Sequence, residues 1–249
     1  MKIEGRNSVY ELLKTDKEID KILVQKDLKD EPSKRLINVI RSHKIKVQLV
    51  DKYVIEKESE SKRHQGFIAY VSDYKYFDID DILNDCTNEN SLIVVLNEIL
   101  DPHNLGSIIR VLECAGADGL IIGKDRSASV NDTVMRISSG ALNHLKVARV
   151  TNVNNAIDTL KDNGFWVYGA ETGGQSIYKA NLTGKVCLVI GGEDSGVKRL
   201  TKEKCDGIVS IPMFGKVNSL NASVACGIAV YEVVRQRVEN KWIKKTLRV

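Results

Sequence analysis

The sequence lacks the features that mark membrane, secreted and disulfide-stabilised proteins. No apolar run approaches the roughly 18 residues that a transmembrane helix needs, and the first residues, MKIEGRNSVYELLK, contain no apolar signal core. The five cysteines are widely spaced and form no CxxC pair, and the four histidines are scattered as well. We therefore expect a cytoplasmic protein with reduced cysteines, no metal site and no membrane contact.

Strong net charge is also missing, but the charge is unevenly distributed. The net charge is +4 over 249 residues. Residues 1–71 carry 16 basic and 12 acidic residues, residues 72–196 carry 10 and 17, and residues 197–249 carry 11 and 4. Basic segments at both ends of an acidic middle favour a polyanionic partner. Solvated charge without any partner explains the same pattern equally well.

The hydrophobic pattern divides the chain into three parts. Residues 1–71 are typical of a small α/β unit, and residues 72–90 of an acidic linker with a short helix. From residue 91 to residue 249, strands and helices alternate. The strands are predicted at 91–96, 119–123, 145–150, 165–170, 185–192 and 207–212, and the helices near 106–116, 131–142, 153–163, 196–205 and 219–238. This alternation of β-branched strands with helices predicts a parallel sheet that is covered on both faces.

Three polar loops follow predicted strands, at the sheet edge where ligands bind in open α/β folds. They are NEILDPHNLGSIIR (97–110), GGEDSGVKRL (191–200) and IPMFGKVNSLNASVA (211–225). The chain has only three prolines, and Pro102 and Pro212 stiffen the first and third of these loops. We expect Gly106 and Gly196 to mark helix starts.

The second loop does not match the loops that bind nucleotide phosphates. It carries Glu193 and Asp194, which would repel a phosphate, and it lacks Lys and Ser/Thr at the required spacing. The segment GAETGG, residues 169–174, also fails the dinucleotide-binding pattern. A neutral or cationic ligand is therefore favoured.

The third loop leads into a helix whose first residues are small. We expect this helix to begin at Ser219, with the serine as its N-cap. Small residues such as Ala225 and Gly227 allow close approach of another backbone. Asn221 would then lie in the first turn, where helix propensity does not explain an asparagine.

Together, the three loops resemble the motifs of the SpoU (TrmH) branch of the SPOUT RNA methyltransferases. The residues that match the first motif are Asn97, Asp101, Pro102, Asn104, Gly106 and Arg110. The residues that match the second are Gly191, Glu193 and Gly196, and the third corresponds to Ile211 through Ala225. The chain departs from the family at Val111, where many members have Ser or Thr, and at Asp194-Ser195, where Gly-Glu is common.

The resemblance implies a fold and a reaction. The fold is α/β: a C-terminal parallel-sheet SPOUT domain, residues 91–249, with a deep trefoil knot that forms the S-adenosylmethionine site of a homodimer. The segments IEGRNSVYELL and HQGFIAYV resemble the small ribosomal-protein-like RNA-binding domain of rRNA ribose methyltransferases. The expected reaction is methyl transfer to a ribose 2′-hydroxyl of RNA, with a guanosine of 23S rRNA as the expected target. The alternatives are a tRNA ribose methyltransferase, a non-catalytic RNA-binding assembly factor and a small-molecule enzyme.

The resemblance also implies site residues. The residues expected to be catalytic are Arg110, Asn104, Glu193, Ser219 and Asn221, and those expected to bind the cofactor are Gly191, Ile211 and Leu220. Because arginine side chains stay protonated in proteins, we expect Arg110 to stabilise charge rather than to accept a proton. Each residue also has a structural alternative, such as helix capping for Ser219 or loop hydrogen bonds for the asparagines. The family pattern leaves the position of His103 open, so we do not expect that histidine to be catalytic.

Overall fold

The computed structural model describes residues 1–15, 17–43, 45–72, 74–192 and 196–246, with side chains described as far as residue 239. The chain forms two compact units. The first comprises Met1–Lys75 with Ser129–Asp132, and the second comprises Tyr76–Ala128 with Thr133–Val249. Each unit has its own sheet. The domain boundaries given above, at residues 71 and 90, stay a prediction.

The first unit contains a four-stranded mixed sheet in the order β1-β4-β2-β3. Strands β2 and β3 are parallel, and the pairs β1–β4 and β2–β4 are antiparallel. Helices α1 and α2 share one apolar core with the sheet, and α3 shares a second, smaller one. The elements are β1 (Lys2–Glu4), α1 (Arg6–Leu12), β2 (Glu18–Gln25), α2 (Glu31–Ser42), β3 (Val47–Val50), α3 (Lys52–Glu58) and β4 (Phe67–Ser72).

The second unit contains a six-stranded, fully parallel sheet in the order β10-β8-β9-β5-β6-β7. Two 3-10 helices, Ala141–Asn143 and Ile177–Lys179, lie between its elements. The elements are α4 (Ile79–Leu83), β5 (Leu92–Asn97), α5 (Pro102–Cys114), β6 (Gly119–Gly123), α6 (Asp132–Ile137), β7 (Val147–Val150), α7 (Val153–Asp162), β8 (Trp166–Ser176), β9 (Val186–Gly191), α8 (Arg199–Lys204), β10 (Gly207–Ser210) and α9 (Ala222–Thr246).

The central strand β5 explains why this sheet is covered on both faces. All six of its residues are buried. Ile93 and Val95 point into a core shared with α4 and α7. Because side chains alternate along a strand, Val94 points to the opposite face, where α5 and α9 pack against each other and approach the sheet. The predicted α/β class and parallel sheet are confirmed, and all six predicted strands are present.

Three helix starts, those of α5, α8 and α9, differ from the prediction. Helix α5 begins at Pro102 rather than near 106, because the Asp101 carboxylate caps it by accepting a hydrogen bond from the His103 N–H at 2.9 Å and proline suits a first helical position. Gly106 is therefore inside the helix, where a Cβ would lie 2.8 Å from the Cβ of Ile137. Packing against Ile137 therefore requires a glycine at position 106, and the prediction that Gly106 starts the helix is wrong.

The start of α8 was also predicted wrongly. Gly196 lies in the left-handed region with φ of 57°, and α8 begins three residues later at Arg199. Strand β8 runs on to Ser176, beyond its predicted end at residue 170, because its final part continues to pair with β10.

The described residues offer neither a metal site nor a membrane-spanning helix. Among the described residues, no cluster of three or more His, Cys, Asp or Glu could hold a metal ion. Within the same residues, no helix is long and apolar enough to cross a membrane. All five cysteines are free thiols, and burial raises the pKa of the Cys226 thiol to about 12.

Candidate active site

The first two loops join at the ends of neighbouring strands. Strands β5 and β9 pair so that Asn97 lies opposite Gly191. The Gly192 N–H donates to the Asn97 carbonyl at 2.9 Å. The buried side chain of Asn97 accepts a second bond, of 2.9 Å, from the N–H of Lys198. Asn97 therefore ties the second loop to the end of the central strand.

Glycine is required where the second loop passes over itself. A Cβ at Gly191 would lie 2.0 Å from the carbonyl carbon of Gly196 and 2.3 Å from the nitrogen of Val197. A Cβ at Gly192 would lie 2.4 Å from the carbonyl oxygen of Glu98. These distances are far inside van der Waals contact, so any side chain would force the loops apart. Glu193, one of the predicted catalytic residues, lies outside the described residues.

A carboxylate that the sequence did not single out also holds this loop. Glu171, on β8, accepts a hydrogen bond from the Val197 N–H at 2.9 Å and pairs with Lys202 Nζ at 3.1 Å. A Cβ at Gly196 would lie 2.4 Å from the Glu171 carboxylate. In the sequence, Glu171 is the acid of GAETGG, at the end of a predicted strand. That segment fails the dinucleotide-binding pattern, and this failure alone gave no indication that the acid holds a loop.

The second and third loops enclose a cavity beside β8 and β9. Its volume is about 690 Å³, counted with the solvent at its mouth. Most of its wall is backbone and small or apolar side chains. The structure brings together here four of the predicted site residues: Gly191, Ile211, Ser219 and Leu220. Glu171 contributes the carboxylate of the lining.

Two of the predicted catalytic residues contact each other across 117 residues of sequence. Asn221 Nδ2 donates to Asn104 Oδ1 at 2.9 Å. The other amide atom, Asn221 Oδ1, accepts from the N–H groups of Ser223 at 2.9 Å and Val224 at 3.3 Å. Asn221 is therefore the cap of α9, which begins at Ala222. The predicted helix start at Ser219 is three residues too early, and helix capping, the structural alternative for Ser219, is carried out by Asn221 instead.

The asparagine contact can be separated from the capping role by substitution. Asn221→Ala removes a cap, which costs about 1 kcal/mol, and it also removes the bond to Asn104. Asn152→Ala is the matched control, because Asn152 caps α7 in the same way without that contact. We expect Asn221→Ala to lower the free energy of unfolding of the second unit more than Asn152→Ala does. In a double-mutant cycle with Asn104→Ala, we expect a coupling of about 0.5 kcal/mol or more. Denaturant unfolding measures both quantities, and additive losses would contradict the link.

Arg110 is exposed on α5 and does not line the cavity as this chain alone forms it. Its Nη1 donates to Ser139 Oγ at 3.5 Å, a weak contact. Arg110 lies six residues after the buried Asn104, so the two side chains point about 120° apart around the helix axis. The structure therefore does not bring Arg110 and Asn104 to one wall, and the catalytic role of Arg110 stays a prediction.

The fold and the site are typical of a cofactor-binding α/β enzyme. The sheet is parallel, and glycine-rich loops at the ends of its strands surround an apolar cavity. A sequence model of the SpoU rRNA Methylase family matches residues 91–231. A second, described as RNA 2′-O ribose methyltransferase substrate binding, matches residues 2–77. The chain belongs to the SpoU family, and it is an RNA 2′-O-ribose methyltransferase.

Several relatives resemble the chain over most of its length. A Staphylococcus saprophyticus protein assigned to the TrmH family of tRNA/rRNA methyltransferases is 43% identical over 238 residues, which cover 94% of this chain and 95% of the relative. The SpoU methyltransferase AviRb from Streptomyces viridochromogenes, solved in complex with AdoMet, has a TM-score of 0.63 and 25% identity, and the match covers 96% of this chain and 91% of AviRb. The A. aeolicus TrmH/SpoU tRNA modifying enzyme has a TM-score of 0.56 and 28% identity, with 66% of this chain and 82% of that enzyme covered.

Proposed function

We propose that this enzyme transfers a methyl group from S-adenosylmethionine to the 2′-hydroxyl of a guanosine in 23S rRNA. The observation that carries the proposal is the cavity at Gly191, Ile211 and Leu220, the three positions at which the family resemblance implies cofactor contacts. The first unit supports RNA as the substrate because it matches the substrate-binding model of RNA ribose methyltransferases. An RNA substrate also favours a cytoplasmic location.

The residues around the cavity fit S-adenosylmethionine. Apolar side chains such as Ile190 and Leu220 suit a flat adenine ring, and the glycine backbone permits close approach. Glu171 contributes a carboxylate to the lining that can accept hydrogen bonds, with its charge balanced by Lys202. When bound, S-adenosylmethionine supplies a methyl group on a positively charged sulfur.

The chain's own residues must orient the ribose and stabilise the charge that develops on it. The 2′-oxygen forms its bond to the methyl carbon as the bond from that carbon to sulfur breaks and the electron pair goes to sulfur. The hydroxyl proton passes to solvent water, and negative charge develops on the oxygen as the proton leaves. Arg110 stabilises this charge and orients the neighbouring phosphate. The linked amides of Asn104 and Asn221 position the ribose, and Ser219 binds the target nucleotide. Glu193 orients Arg110.

An rRNA target is favoured over tRNA by how much of the chain is shared. The match to the A. aeolicus tRNA modifying enzyme covers 66% of this chain, so about a third of the chain has no counterpart in that tRNA enzyme. A tRNA target stays the alternative, because the family name of the Staphylococcus relative covers tRNA and rRNA methyltransferases alike.

We also propose that the loops between residues 191 and 225 are threaded in a trefoil knot and that the protein is a homodimer. The close backbone crossing at Gly191 supports the knot. The dimer is supported by an apolar stripe on α9, in which Val224, Tyr231 and Val238 repeat every seven residues and are about half exposed. Arg110 is on α5, which packs beside α9. A second copy on this stripe would bring Arg110 to a shared site.

Disrupting the apolar stripe is expected to separate the protomers. Tyr231→Lys places a charge in the centre of the stripe, and burying that charge in an interface is costly. We expect sedimentation velocity to show a monomer for Tyr231→Lys and a dimer for the unaltered protein. Tyr53→Lys is the matched control, since Tyr53 is 69% exposed on the first unit. A Tyr231→Lys protein that stays dimeric would place the interface elsewhere.

The target can be tested separately from the cofactor. Calorimetry with S-adenosylmethionine should show binding, and no binding would revive a non-catalytic RNA-binding role for the residues described here. Deleting the gene and mapping 2′-O-methylation across rRNA and tRNA should remove one mark, at a guanosine of 23S rRNA. Loss of a tRNA mark instead would establish the alternative.

A further inference from the structure

The loop between α3 and β4 of the first unit is held by an internal carboxylate. We call residues 59–66, SESKRHQG, the 59–66 loop. The Glu4 carboxylate accepts hydrogen bonds from Ser59 Oγ at 2.7 Å, from the Glu60 N–H at 2.6 Å and from the Ser61 N–H at 3.2 Å. It also accepts one from Ser61 Oγ. Four donors on one carboxylate fix the first half of the loop to β1.

The hydrogen bonds keep Glu4 ionised. Burial by itself raises the pKa of this carboxyl, but the bonds from Ser61, Ser59 and the backbone outweigh that effect and lower the pKa to about 2. The anchor therefore persists at neutral pH. In the second half of the loop, Gln65 Oε1 accepts from the Arg6 N–H at 3.1 Å.

The loop backbone is held in an unfavourable conformation. Lys62 has φ of 57° and Gln65 has φ of 47°. They are two of the six described non-glycine residues with positive φ. Such residues cost energy and persist only where surrounding contacts impose them, which is frequent at binding sites. Here the Glu4 and Gln65 bonds supply those contacts.

The side chains at the tip of the loop are cations without neutralising partners. Lys62 and Arg63 are exposed, and neither forms an ion pair with any described residue. Glu56 and His64 line a shallow hollow together with Lys62. A rigid loop that holds two adjacent, unpaired cations in solvent is suited to the regularly spaced phosphates of a nucleic acid, because little side-chain and loop entropy is lost on binding.

We propose that the 59–66 loop is an RNA-binding element of the first unit, in which Lys62 and Arg63 contact the phosphodiester backbone and Glu4 sets the shape of the loop. The proposal rests on the proposed function, because it takes RNA as the partner of this unit. Glu4 is a positioning residue and does not touch the RNA.

Removing the two cations should weaken RNA binding. For the full chain with Lys62→Gln and Arg63→Gln, we expect affinity for a 23S rRNA transcript to fall about tenfold or more at roughly 0.1 M salt, because two phosphate contacts no longer release counterions. The slope of log affinity against log salt should become shallower by about 1.4. The matched control is Lys34→Gln with Arg35→Gln, an exposed Lys-Arg pair on α2, with the same change in charge. Equal losses in the two proteins would overturn the proposal.

Glu4→Gln distinguishes loop shape from simple charge. This change makes the surface more positive, so charge attraction alone predicts equal or tighter RNA binding. The amide, however, turns one acceptor oxygen into a donor, which faces either the Glu60 N–H or the donors of Ser59 and Ser61, so the anchor is weakened. We expect Glu4→Gln to bind the transcript several-fold more weakly than the unaltered protein. Tighter binding by folded Glu4→Gln would refute the positioning role.

The readouts separate this proposal from the proposed function. Calorimetric affinity for S-adenosylmethionine and kcat at saturating RNA should be unchanged by the loop variants, while KM for RNA rises. If the unaltered protein binds S-adenosylmethionine but modifies neither rRNA nor tRNA, the proposed function fails. If the unaltered protein modifies RNA and the loop variants bind the transcript with the same affinity as the Lys34/Arg35 control, the loop proposal alone fails. Circular dichroism checks that each variant is folded. If Glu4→Gln unfolds, the affinity of the Lys62→Gln/Arg63→Gln variant for the transcript tests the loop proposal.

Discussion

Arg110→Ala is expected to lower the rate of methyl transfer by about 10²–10³-fold, the usual loss when one donor to a developing oxyanion is removed. The side chain is exposed, and its one hydrogen bond to a described residue, the weak contact with Ser139, is long, so the free energy of unfolding should hardly change. Affinity for S-adenosylmethionine should also be retained, since Arg110 does not line the cavity. Single-turnover transfer and calorimetry on the same preparation measure the two effects.

The controls for Arg110 test the nature of its role. Arg136→Ala removes an exposed arginine of the same unit and should leave transfer unchanged. Arg110→Lys keeps the positive charge but loses the planar fork, so a charge-stabilising role predicts partial activity between that of alanine and arginine. Near-normal transfer by folded Arg110→Ala would remove this residue from the mechanism.

Gly191→Ala is expected to destabilise the second unit and abolish cofactor binding. The new methyl group would lie 2.0 Å from the carbonyl carbon of Gly196, and backbone on both sides leaves no flexible side chain to move away. Overpacking of this kind costs about 3 kcal/mol or more, which corresponds to a fall in Tm of roughly 6 °C or more for a unit of this size. Thermal unfolding and calorimetry with S-adenosylmethionine measure the two losses.

Gly215→Ala is the matched control for Gly191. It adds the same methyl group in the third loop, where nothing lies within 4 Å of the new atom. Because alanine restricts the unfolded chain, we expect Gly215→Ala to leave Tm unchanged or raise it slightly. A Gly191→Ala protein with the Tm and cofactor affinity of Gly215→Ala would show that the backbone crossing is not required.

Local patterns were sufficient to predict the sheet. The apolar run before Asn97 is buried on both faces and predicted the central parallel strand correctly. Helix starts were predicted less well, because the residues that cap a helix are the same residues that are common in loops. Asp101-Pro102 was interpreted as a stiffened loop, although an aspartate before a proline is also a strong helix start. Asn221 was placed inside its helix for the same reason, although its side chain is the cap.

The site depends on contacts that no local pattern contains. The motif resemblance predicted Gly191, Ile211 and Leu220 as cofactor contacts, and the structure brings these three residues together in the cavity, while their role stays a prediction. The Asn104–Asn221 bond spans 117 residues and the bond from Val197 to Glu171 spans 26, so neither is visible in spacing. The Glu4 anchor of the 59–66 loop was missed likewise, because its donors are more than 50 residues away in sequence.

The most direct test of the central claim is to identify the product of the reaction. The purified protein is incubated with methyl-labelled S-adenosylmethionine and with RNA from a strain that lacks the gene, and the RNA is then digested to nucleosides. We expect label in 2′-O-methylguanosine from a single site in 23S rRNA, and none after Arg110→Ala. Label on a base instead of a ribose, or no transfer to any RNA by protein that binds the cofactor, would contradict ribose methylation by this enzyme.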